Sequence, residues 1–94
     1  MKFEEFRKKY EEKLKKYGYE LFENSLTNCY DAIDVGYVVY TKIREDRASD
    51  IRFTFGKEGD PIKVELVVVT QDGIKDYKFT MDELFDFLEK EDDN

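Results

Sequence analysis

From Lys2 to Tyr17 the apolar residues Phe3, Phe6, Tyr10, Leu14 and Tyr17 recur every three or four positions, which predicts one helix with a single apolar stripe. Its other faces pair Glu4 with Lys8, Glu5 with Lys9, Glu11 with Lys15 and Glu12 with Lys16, all acid-first at the spacing that supports a helix. Gly18 then supplies a stop, because glycine tolerates the left-handed conformation that ends helices. Residues 19–34 read as irregular or partly helical, with Tyr19, Leu21 and Phe22 able to begin a short strand.

Beyond this segment the period changes to two. Val35, Tyr37, Val39, Thr41 and Ile43 fall on one side of a strand, and we expect Tyr37 to point into the core with Tyr10 and Tyr17. Periodicity does not place Tyr19, Tyr30 or Tyr40. A second strand sets Ile51, Phe53 and Phe55 against Arg52 and Thr54, so one of its faces is wet. Residues 57–61 make a turn, after which Ile62, Val64, Leu66 and Val68 alternate with Lys63, Glu65, Val67 and Val69. The double apolar character of that strand's later half predicts a central place, partly covered on its second side. Asp72-Gly73 is a hairpin signal leading into a strand with Tyr77 and Phe79.

Thr80 followed by Glu83 has capping-box spacing ahead of Leu84, Phe85 and Leu88. A short closing helix follows, with Met81 and those three residues inward. The pattern therefore predicts one α+β domain over residues 1–94: an N-terminal helix, a three- to five-stranded antiparallel sheet and a short C-terminal helix, both helices packed on one sheet face. Residues 91–94 are expected to fray as an acidic tail.

Charge adds what the pattern lacks. The net charge of −7 is uneven: Lys2 to Tyr17 carries +3, Gly18 to Asp34 carries −4, Val35 to Met81 is neutral, and Asp82 to Asn94 carries −6. The last segment puts Glu89, Glu91, Asp92 and Asp93 at the negative end of a helix dipole, so helix stability does not account for them. Such a balance disfavours direct binding to nucleic acid. It fits a partner protein with a basic surface, contacted through Glu20, Glu23, Tyr30, Asp31, Asp34, Asp82, Asp86, Glu89, Glu91, Asp92 and Asp93.

Candidate chemistry is thin. The chain has no histidine, which excludes serine-histidine and cysteine-histidine catalysis. Its single cysteine, Cys29, permits no internal disulfide; we read it as a small core residue in a reducing, cytoplasmic setting. No stretch reaches the length of a membrane helix, and Met1-Lys2-Phe3-Glu4-Glu5 is too charged for a secretory signal. Gly56-Lys57-Glu58-Gly59 lacks the ending of a phosphate loop, and the carboxylates show no metal-binding spacing. No cofactor or metal is expected.

The resulting expectation is a non-catalytic protein-binding module, monomeric or homodimeric. In size and charge it is similar to the small acidic inhibitors of phages and mobile elements, anti-CRISPR-like proteins among them, which occupy the basic nucleic-acid-binding site of a partner. The alternative is an assembly subunit that self-associates through a sheet edge or through the face bearing Val67 and Val69.

Overall fold

The computed structural model describes residues 3–24, 36–56 and 61–92. Cys29, Tyr30, Asp31, Asp34, the turn at 57–60 and Asp93 lie outside the described residues. The N-terminal helix runs as an α segment Phe3–Phe6, a π-helical stretch Arg7–Glu11 and an α segment Glu12–Lys16. Five strands follow, β1 (Glu20–Asn24), β2 (Gly36–Ile43), β3 (Arg47–Phe55), β4 (Lys63–Thr70) and β5 (Gly73–Phe79), and the C-terminal helix Met81–Asp92 closes the chain. The strands lie in sequence order, every neighbouring pair antiparallel. This is the expected α+β architecture, with β3 rather than β4 at the centre.

Local signals place the boundaries. Gly18 takes φ 92° and Gly73 φ 138°, left-handed conformations that favour glycine where the helix ends and where β4 turns into β5. The capping box is made in full: the Thr80 N–H donates to Glu83 Oε1 at 2.9 Å, and the Glu83 N–H donates to Thr80 Oγ1 at 3.2 Å.

Both helices cover the same sheet face. Phe6 lies 4.9 Å from Phe53 and 5.2 Å from Phe55 between ring centroids, and Tyr10 stacks on Phe85 at 5.9 Å, so the helices also touch each other. Leu14, Tyr17, Leu84 and Leu88 join Val38, Tyr40, Ile51, Val64, Leu66 and Val68 in one core. The π stretch makes this possible. In a pure α-helix, eight residues at about 100° each would leave Phe6 and Leu14 about 80° apart. A wider turn closes the difference, and both side chains are fully buried.

The same wide turn carries Glu11 inward, away from the exposed position that its pairing with Lys15 suggested. Its side chain is 9% exposed and accepts from Arg7 Nε at 2.8 Å and Nη2 at 2.9 Å. It also accepts from the Tyr40 hydroxyl at 2.6 Å, with Lys15 Nζ at 3.4 Å. The Arg7 hydrogen bonds, reinforced by Tyr40, hold the Glu11 carboxyl down at about 2 against the cost of burial. Burial first, then the Glu11 contact, pushes the Tyr40 hydroxyl up.

Tyr37 corrects the expected face of β2. Val38 and Tyr40 point into the core, while Tyr37 stands on the opposite side, where its hydroxyl donates to Glu23 Oε1 at 2.6 Å and its ring lies 4.3 Å from the Arg52 guanidinium. The strand is apolar on both sides, with Val39 buried as well, so alternation alone carried no direction. Tyr19 is likewise core. Replacing Tyr40→Phe is expected to cost about 2 kcal/mol, because a buried carboxylate loses a donor, whereas Tyr37→Phe leaves the urea midpoint close to that of the native chain. Denaturation of the two variants checks the assignment.

Candidate functional site

The described acidic candidates do not gather in one place. Glu20 and Glu23 sit on β1, one edge strand, on the sheet face that neither of the described helices covers. Asp82, Asp86 and Glu89 are exposed along one stripe of the C-terminal helix, which packs over the opposite edge, with Phe87 5.1 Å from Tyr77 of β5. Glu91 is not part of a frayed tail. Arg44 Nη2 lies 3.2 Å and Arg47 Nη1 3.5 Å from its Oε1, so the end of the β2–β3 hairpin clamps the last helical turn, which continues through Asp92. Tyr19 and Ser49 are buried nearby. Burial pushes the Tyr19 hydroxyl up.

The uncovered sheet face has an order that only register reveals. Ile43 pairs with Ala48, Ala48 with Val69 and Val69 with Ile74, forming an apolar row across four strands. Ile43 is 78%, Val69 44% and Ile74 67% exposed. Two residues further along each strand, Glu20, Thr41, Asp50, Val67 and Asp76 form a row crossing all five strands. Its three carboxylates are exposed, it contains no lysine or arginine, and Thr41 Oγ1 donates to Asp50. The next row, Glu23, Val39, Arg52, Glu65 and Lys78, balances its charges.

Between these last two rows lies a groove of about 280 Å³ with Phe22, Val39 and Val67 as its apolar lining. A β-bulge between Leu21 and Glu23 shifts the β1 register there, and Phe22 is 71% exposed. Bulges re-aim side chains in this way.

Among the described residues no three carboxylates or cysteines converge to hold a metal ion, and no helix is long and apolar enough to cross a membrane. The groove under the end of the C-terminal helix mixes Arg47 and Lys75 with Glu45, Asp46, Asp72 and Glu91 over Tyr77 and Phe87.

Ile43, Asp50, Ile74 and Asp76 were absent from the candidates read from sequence, which named Val69 only with Val67, as a face for self-association. The hairpin signal at Asp72-Gly73 was enough to pair Val69 with Ile74 and Val67 with Asp76. Extending the rows over β3 and β2 required the remaining registers. Compared with protein-family models, curated proteins and solved structures, the chain has no match.

Proposed function

We propose that the chain is a non-catalytic protein-binding module that meets its partner through the uncovered face of its sheet. The observation that carries this reading is the apolar row of exposed Ile43, half-buried Ala48, and exposed Val69 and Ile74. Single exposed apolar residues are ordinary, but large ones aligned across neighbouring strands form a contiguous patch, which marks interaction surfaces.

A second reading rests on the C-terminal helix. Asp82, Asp86 and Glu89 form an exposed acidic stripe, the feature a small inhibitor would use to occupy the basic nucleic-acid-binding site of its target. The two surfaces lie on opposite sides of the molecule, so they can be tested apart. The tagged full chain is used to capture partners from its native cells, and a protein identified by mass is then titrated in purified form. Ile43→Lys with Ile74→Lys is expected to weaken that binding about tenfold or more, while Asp82→Asn, Asp86→Asn and Glu89→Gln together leave it unchanged. The reverse outcome assigns the contact to the helix stripe. Full affinity in both variants sinks both readings.

A further inference from the structure

We infer that the occupant of the uncovered face is a basic amphipathic helix of a partner protein, lying across the strands. This deepens the proposed function and rests on it. Neighbouring strands are about 4.8 Å apart, close to the helical pitch of about 5.4 Å. The four strands that present Ile43, Ala48, Val69 and Ile74 therefore span roughly 14 Å, the length of about ten helical residues. Apolar side chains at every third or fourth position of such a helix meet one strand per turn.

Charge selects the second stripe of that helix. The row holding Glu20, Asp50 and Asp76 runs beside the apolar row, two residues or about 7 Å further along the strands. Lysine or arginine on the flank of the bound helix reaches it while the apolar stripe stays seated. The following row offers no comparable field, since Arg52 and Lys78 stand on either side of Glu65 and Lys63 Nζ lies 3.8 Å from the Glu65 carboxylate.

Other occupants fit less well. A second copy packed sheet on sheet, with its strands aligned or orthogonal to these, would bury Asp50, Arg52, Glu65 and Asp76 between the sheets, at a desolvation cost that imperfect pairing does not return. An anionic membrane or a nucleic acid meets the acidic row with like charge.

The test titrates the labelled full chain with three 14-residue peptides, followed by two-dimensional NMR: one with leucine at helical spacing and lysine on the flank, one with glutamate in place of lysine, and a permuted leucine-lysine control. Saturable binding of the first peptide is expected, at least tenfold tighter than the other two. The largest shifts should fall on Ile43, Val69, Ile74 and Asp76, and Asp50→Lys with Asp76→Lys should weaken it at least tenfold. Equal binding of all three peptides, or shifts centred on Asp82, Asp86 and Glu89, overturns the inference. So does a concentration-dependent dimer of the chain alone that Ile43→Lys abolishes.

The native partner separates this inference from the reading beneath it. If Ile43→Lys with Ile74→Lys loses that partner while Asp50→Lys with Asp76→Lys keeps it, the sheet face stands and the basic helix falls. If neither pair loses it, both fall. Asp50 and Asp76 are exposed, and an unchanged melting curve for their variants excludes misfolding as the cause.

Discussion

Glu11→Gln is expected to remove about 3 kcal/mol of stability at neutral pH and to flatten the acid limb of the unfolding curve. The carboxyl titrates at about 2 in the folded chain against 4.5 when free, and each unit is worth about 1.4 kcal/mol. A folded value below the unfolded one means that the native state prefers the ionised form. The stabilisation is therefore complete above the unfolded value and disappears as the pH falls from about 4.5 towards 2. Glutamine fills the same space without the charge, so the variant should start lower and change little across that window. Urea titrations of both proteins between pH 7 and pH 2 read the difference. Parallel curves would show that Arg7 and Tyr40 stabilise the native state independently of the Glu11 charge.

Phe6→Ala is expected to cost about 3 to 5 kcal/mol, which for a domain with about 5 to 15 kcal/mol in total leaves a chain close to its folding threshold. Phe6 is fully buried and its ring meets those of Tyr10, Tyr40, Phe53 and Phe55. It therefore joins the N-terminal helix to β2 and β3 and to the residue that contacts Phe85. A cavity there cannot be filled by local adjustment, because the neighbours are rigid rings held by strands. The expected readout is a large fall in the urea midpoint, with near-ultraviolet circular dichroism lost at 37 °C. A cost below about 1 kcal/mol would mean that the helix can settle into the gap.

Where one side of an element was wet, its sequence was a good guide. Arg52 and Thr54 marked the outer side of β3, Lys63 and Glu65 that of β4, and the acidic residues that of the C-terminal helix; Phe53, Leu66 and Leu84 accordingly lie in the core. Tyr37 was misplaced because β2 has apolar residues on both sides, and Val39 is buried opposite Val38 and Tyr40. Glu11 was misplaced because hydrophobic spacing of three and four residues does not distinguish a π turn from an α turn, although the two differ in which residue faces the sheet. The apolar row was hidden for another reason. Ile43, Ala48, Val69 and Ile74 are neighbours only through three successive pairings, and of the connections between them only Asp72-Gly73 has a length and composition that determine register.

The bulge between Leu21 and Glu23 has a consequence for the molecule in a crowd. An open sheet grows by adding strands to its margins, and a straight, uncharged margin is the template for fibres. At one margin the displaced residue breaks the hydrogen-bonding ladder. At the other, β5 presents Lys75, Asp76 and Lys78 to any incoming chain, charges that oppose indiscriminate pairing. Both margins of the sheet thus carry features that work against strand-by-strand growth into filaments.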